Sequence, residues 1–458
     1  MIDVDADCAD SDCAPYVCES DGIACDDRCT GDSQCADGFV CDQDTAVCEP
    51  TGCEPIDDGP VPLTGLPPTI SEFEIAVGGG EIPSTVPRAQ EQFLVLIGRA
   101  EGLGFARFNV NGDIVDDPAD ENLGLVRLAE PNEAFLPYNP TLRYFPIGLD
   151  ETPVYNPRFA MSWRVAASEW DEVHSATFII DPISAPQVRR TMQEESRTEI
   201  WDLDVRRSPS GLFHAWRFKV GQSSGVRILA SDEVGAVEDD SATPAQITPD
   251  ERTAVGAAVT RVGDTFYTAY STAGGGQRNL VALATDETTE GVGALRIRAD
   301  QFATDFEIRG LQSVQSTVAG GFVWVERTGG EDSAYMVVVD ETTNSVLSPD
   351  ATASVTPREI AVEFGDLALI QASDDPDGFI VAWLGSRAGR FDLWVQRYGD
   401  DGQPRFTALP ASGGGGIRID AYRVARTATG IAVVWLTEGE GTEPDQLYLR
   451  RYRCEDTQ

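Results

Sequence analysis

"DPDGFIVAWLGSRAGRFDLWVQRYGDDG", residues 375–402, sets two strand-like runs between Asp/Gly turns, and its reading decides the fold. Each run alternates β-branched or aromatic residues with small or polar ones, the period of a pleated strand with one buried face. The same design recurs along the chain. Clear copies are "GLFHAWRF" to "GVRILASDE" (211–233), "DTFYTAYS" to "NLVALATDE" (264–287), "GGFVWVER" to "AYMVVVDE" (320–341) and "TGIAVVWL" to "QLYLRRYR" (429–453). Weaker copies are "EQFLVLIG" to "GFARFNVNG" (91–112) and "PRFAMSWR" to "SATFIID" (157–181), which makes seven units.

Taking Trp163, Trp216, Tyr270, Glu326, Trp383 and Trp435 as equivalent gives spacings of 53, 54, 56, 57 and 52 residues, a regular period that signals a repeat architecture. A further short strand precedes each pair, as in "DLDVRR" (202–207) and "AAVTRV" (257–262), and another follows, as in "RFTALPA" (405–411). Four strands per unit is the composition of a β-propeller blade. The expected fold is therefore all-β, a seven-bladed β-propeller of four-stranded blades preceded by a small disulfide-rich module. Trp383 and Trp394 read as packing residues between blades, with an exposed stacking role for Trp394 as the alternative. The unit resembles the "dGGFVVAW…dvyvqrfd.dG" repeats of bacterial secreted and surface propellers, most clearly over 377–402 and 429–453. That resemblance implies a fold and a compartment more than a function.

The seventh unit ends at Cys454 without a fourth strand, and "PVPLTGLPP" (60–68) is similar to the fourth-strand stretch "PRFTALPAS" (404–412). Residues 60–66 are therefore expected to complete the last blade. Cys53 and Cys454 are the two cysteines outside the amino-terminal copies, and a bridge between them would staple the ends, stabilising by roughly 5 kcal/mol in the chain-entropy model. The expected domains are 1–54, a disulfide-rich module, and 55–458, the propeller.

Nine of the ten cysteines fall between Cys8 and Cys53 with no C-x-x-C pair, a density that marks an oxidised disulfide framework more than a zinc site. "CADSDCAPYVCESDGIAC" (8–25) and "CTGDSQCADGFVCDQDTAVC" (29–48) repeat one order, C-x₄₋₅-C-x₄₋₅-C-x₆-C. If each copy closes on itself, three pairings remain per copy. The pairing expected is first-to-third and second-to-fourth: Cys8–Cys18, Cys13–Cys25, Cys29–Cys41 and Cys35–Cys48. So short and acidic a segment relies on its bridges to fold. "DSQCADGFVCDQDTAVC" resembles the small cysteine-rich repeats of Dickkopf-amino-terminus type in secreted proteins of myxobacteria and related bacteria, and the resemblance implies extracellular display.

The net charge of −42 argues against nucleic acid and against anionic lipid surfaces. Lys219 is the sole lysine, a bias that suits either a salty habitat or a GC-rich genome. The longest apolar runs, such as "FLVLI" at 93–97, are too short to cross a bilayer as a helix. "MIDVDADC" has neither the basic nor the apolar region of a signal peptide, so an export signal or lipoprotein leader is expected to have been removed upstream. The expected location is extracellular, at the cell surface or periplasmic.

Candidate chemistry is sparse. Asp3, Asp5 and Asp7 alternate like the start of a calcium loop, but Cys8 stands where the turn needs Gly and Ala14 where it needs a bidentate Glu. An EF-hand is rejected; a looser Ca²⁺ site and a solvated acidic tail both remain, and no other cofactor is expected. "GQSSG" (221–225) matches the G-x-S-x-G nucleophile pattern, yet no helix follows and both histidines, His174 and His214, precede Ser223. Neither histidine has a partner at a ligand spacing. The long connection 113–156 concentrates Phe135, Tyr138, Tyr144, Phe145 and Tyr155 among prolines, which either build an aromatic ledge for a ligand on one rim or cap a hydrophobic gap. These readings favour an exported, non-enzymatic binding or scaffolding protein whose partner is a protein or glycan. The alternatives are a structural subunit of an extracellular assembly, and a carbohydrate-active enzyme, glycosidase or lyase, which needs converging carboxylates in the central funnel.

Overall fold

A computed structural model describes strands between residues 39 and 179 and most of the chain from 189 to 454; residues 1–38 and 455–458 lie outside the described part, as do several connections between strands. Among the described residues the chain forms seven sheets of four or five strands, apart from a small hairpin of Phe39–Asp42 with Val47–Pro50. In each of the seven, at least three strands consecutive in the chain lie side by side, so each recurrent unit of the sequence is a meander; Thr352–Ser354 adds to the fourth sheet parallel to Gly291–Gln301, and Arg358–Ile360 completes the fifth.

The first strands of the sheets are Glu72–Gly78, Leu136–Phe145, Thr198–Arg207, Thr253–Val262, Glu307–Gln315, Gly365–Asp375 and Ile419–Arg426. Each contacts the next, and the last contacts the first, so these inner strands form a ring. This radial arrangement of twisted sheets is a β-propeller.

The last sheet is built from both ends of the described chain. Val61–Pro62 and Cys53–Pro55 both pair antiparallel with Gln446–Cys454, and Cys53 is disulfide-bonded to Cys454. Asp57 receives the guanidinium of Arg451, and the amides of Ile56 and Leu63 donate to the carbonyls of Arg451 and Leu447. Cys41 and Cys48 face each other in the register of the small hairpin. The pairings expected for the eight cysteines Cys8 to Cys48 lie outside what is described.

Faces of adjacent sheets bury aromatic residues of the second strands. Trp163, Trp216, Trp324, Trp383 and Trp435 are all buried, as is Trp394, whose indole donates to the Gly385 carbonyl. Trp394 is thus a packing residue, without an exposed stacking face. The fifth sheet corrects the sequence alignment: Trp324, stacked on Tyr335 as Trp435 is on Tyr448, occupies the repeated position, and Glu326 lies two residues further along. Glu326 instead accepts the Trp324 indole N–H and pairs with both arms of Arg298 from the preceding sheet. An alternating strand presents two candidate positions two residues apart on the same face, which is why the equivalence slipped.

A second repeat is carried by the backbone. Four inner strands share one bulge at the same place, where register shifts separate Trp201 from Asp204, Val255 from Ala258, Arg309 from Gln312 and Gly365 from Ala368, and Leu136–Phe145 has a further shift there between Tyr138 and Thr141. The second residue of each bulge, Asp202, Gly256, Gly310 or Asp366, has a left-handed backbone with φ of 48 to 76°. Gly and Asp are among the residues that tolerate that region. The third residue, Leu203, Ala257, Leu311 or Leu367, is buried between sheets. The first is thereby left at the rim of the ring.

Candidate functional site

The inside of the ring holds a polar band. Asp204 accepts the amides of Val205 and Val259, at 2.9 and 3.0 Å, and the hydroxyl of Ser313 at 2.5 Å. Arg206 donates Nε to the Val259 carbonyl and Nη2 to Ser313 Oγ, and its Nη1 pairs with Asp374, which also accepts the Gln315 amide. Asp204, Arg206 and Ser313 are at most 5% exposed, so the band ties four consecutive inner strands together and offers little to a ligand. Its carboxylates converge, as a central site would require, but they are spent on the frame.

The rim differs. Trp201, the first residue of its bulge, is 37% exposed, and Val255, at the same place on the next inner strand, is 39% exposed. Arg217, opposite Trp201 in the register, places its guanidinium 5.8 Å from the indole centroid, and Arg164 from the preceding sheet lies at 5.2 Å. The indole N–H donates to Glu199 at 3.2 Å, and Asp202 accepts Arg217 Nε at 2.6 Å. Arg164 pairs with Asp171 at 2.7 Å, and Asp171 also accepts the Ile200 amide, which anchors this strand to the neighbouring sheet. Burial holds the Asp171 carboxyl above its usual range against the lowering pull of that amide and of Arg164. The result is an exposed aromatic plate held rigid by two guanidinium groups and bordered by carboxylates. With two guanidinium groups over the ring, the exposed part of the indole is what could meet the C–H face of a sugar, with acceptors at its edge for hydroxyls.

Of the other candidate residues, Tyr138, Tyr144 and Phe145 belong to the inner strand Leu136–Phe145, where Tyr138 begins a register shift that ends at Thr141, the place Trp201 holds on the next inner strand; Phe135 and Tyr155 fall outside the described residues, as do Asp3, Asp5 and Asp7. Among the described residues no group of three or more His, Cys, Asp or Glu could hold a metal ion. Ser223 is exposed at the tight hairpin between Gly211–Val220 and Ser223–Asp232, without the strand-to-helix turn a nucleophile elbow needs. His174 pairs with Glu172 at 2.7 Å, and His214 is fully buried between the hydroxyls of Ser231 and Ser162. Trp201 did not emerge from the sequence. The signal was present in "WDLD", "VGAA", "RGLQ" and "GDLA", where Gly or Asp precedes Leu or Ala at one place in four units.

No protein-family model matches the chain, and no curated protein sequence matches it. Solved structures similar in fold include the β-propeller domain of the Trilobed protease from Pyrococcus furiosus (10% identity, 85% of this chain and 97% of that one, TM-score 0.42). Others are an oligogalacturonate lyase in complex with manganese (9%, 80% and 86%, TM-score 0.42) and the polysaccharide lyase Uly1 (11%, 83% and 77%, TM-score 0.34). At these identities the likeness is one of fold. The structures found are mostly named as polysaccharide lyases and glycosidases, and the expectation of a non-enzymatic binding or scaffolding protein finds no counterpart among these names.

Proposed function

We propose that the chain is a carbohydrate-active enzyme, a glycosidase or lyase that takes a polysaccharide across the rim of the propeller. The observation that carries this reading is the half-exposed Trp201 on an inner strand, with Glu199 and Asp202 beside it and a bulge that fixes its place. In this reading Trp201 is the platform for one sugar, and Glu199 and Asp202 are the carboxylates nearest the bond to be cut. The seven sheets are taken as seven blades, with 60–66 completing the last. Residues 1–54 are taken as a disulfide-rich module of the Dickkopf-amino-terminus type whose last residues, Cys53 and Glu54, join the last sheet of the propeller, in a protein that is exported, a reading the Cys53–Cys454 bridge supports. A loose Ca²⁺ site at Asp3, Asp5 and Asp7 belongs to that module.

The test is turnover by the purified, oxidised chain on a panel of polysaccharides, followed as new reducing ends. Cleavage that Trp201→Ala slows by raising KM supports the reading. Cleavage unaffected by Trp201→Ala moves the site elsewhere, and a panel left intact sinks the proposal.

A further inference from the structure

The charges around Trp201 bear on which polysaccharide the rim accepts. Resting on the sugar-cleaving reading above, we infer that the substrate is an uncharged polysaccharide and that its glycosidic bond is hydrolysed, not broken by elimination from an acidic sugar. Elimination begins by removing a proton next to a sugar carboxylate, and the anion that develops there needs fixed positive charge around it. Among the described residues around Trp201 and the equivalent bulges there is no such surplus. Arg164 is matched by Asp171, Arg217 by Asp202 and Arg309, at the equivalent bulge two sheets on, by Glu307. Glu199 adds a further carboxylate at the indole edge.

The rest of the molecule reinforces the balance. Arginines inside the sheets are paired in the same way, Arg227 with Glu194, Arg298 with Glu326, Arg397 with Asp375 and Arg451 with Asp57. With a net charge of −42, the chain repels a polyanion over roughly a Debye length, about 10 Å in dilute salt. An uncharged chain of sugars meets none of this opposition. Its C–H faces suit the exposed Trp201, and its hydroxyls donate to the carboxylates of Glu199 and Asp202. Hydrolysis also fits a carboxylate-rich rim, because it asks for one carboxyl to protonate the leaving oxygen and one carboxylate on the other side of the bond. The oxygen of water bonds to the anomeric carbon, the bond from that carbon to the leaving oxygen breaks, and the leaving oxygen takes up a proton. Water is the sole co-reactant.

The experiment incubates the full oxidised chain with uncharged polymers (arabinan, β-glucan, galactan) and with polyanions (polygalacturonate, alginate). New reducing ends report any cleavage, and ultraviolet absorbance reports the unsaturated ends that elimination alone creates. The inference expects reducing ends from at least one uncharged polymer, no unsaturated product, and a rate that changes by less than about twofold between low and high salt. Unsaturated ends or hydrolysis from a polyanion, without cleavage of an uncharged polymer, overturns the inference and leaves the sugar-cleaving reading standing. If no polymer of either kind is cut, that reading fails and takes the inference with it.

Discussion

Trp201 and Trp216 lie on neighbouring strands of one sheet, yet substitution should affect them in opposite ways. Trp201 is half-exposed, so Trp201→Ala is expected to leave the melting temperature nearly unchanged and to raise KM by about tenfold, the worth of one aromatic contact. Trp216 is buried, and its indole N–H donates at 2.7 Å to Glu194, which also holds Arg227. Trp216→Phe strands an oxygen of that carboxylate and should cost roughly 1–3 kcal/mol in denaturant unfolding. Trp435→Phe should cost less, because the buried Trp435 N–H meets no acceptor among the described residues. Buried His214 has its pKa pulled down to about 3 by desolvation. The unfolded chain takes up a proton near pH 6.5 that the folded chain refuses until about pH 3, so stability falls as pH drops through that window, by at most about 1.4 kcal/mol per pH unit. His214→Gln should flatten the melting-temperature profile between pH 6.5 and 4. An unchanged slope would assign the acid sensitivity to other groups.

The bulge is the element that joins sequence to site. Asp202 has φ of 48°, a region that a β-branched residue avoids. Asp202→Val is expected to cost roughly 1–3 kcal/mol and to weaken substrate binding by moving Trp201. Asp202→Gly should keep the backbone, and with it the stability and the place of Trp201, while losing the Arg217 pair and a carboxylate at the site, so that turnover falls; an equal loss of stability from the two substitutions would mean that the ion pair, not the conformation, positions the ring. The strands of the five clear units were legible because their second strands, packed between neighbouring sheets, are buried on both faces and read as short apolar runs bounded by turn residues. The band of Asp204, Arg206, Ser313 and Asp374 was not legible, because its members come from three units and meet only when the ring closes. Trp201 was missed for a related reason. A lone Trp beside a strand reads as core until the bulge turns it outward.

Closure of the ring is a property of the whole molecule. Cys53 and Cys454, 401 residues apart, sit opposite each other where Cys53–Pro55 and Val61–Pro62 complete the last sheet. Cys53→Ser together with Cys454→Ser is expected to lower stability by up to roughly 5 kcal/mol, read as a fall in the urea midpoint. The paired strands and the Asp57–Arg451 contact remain, so the double variant should still fold as a propeller by circular dichroism. A midpoint that does not move would show that those pairings close the ring unaided. The most direct check of the account is a crystal structure of the oxidised chain with an oligosaccharide product of its own reaction. The account predicts a sugar ring lying parallel to the Trp201 indole, with hydroxyls on Glu199 or Asp202; a sugar bound on any other face of the propeller, with Trp201 bare, would contradict it.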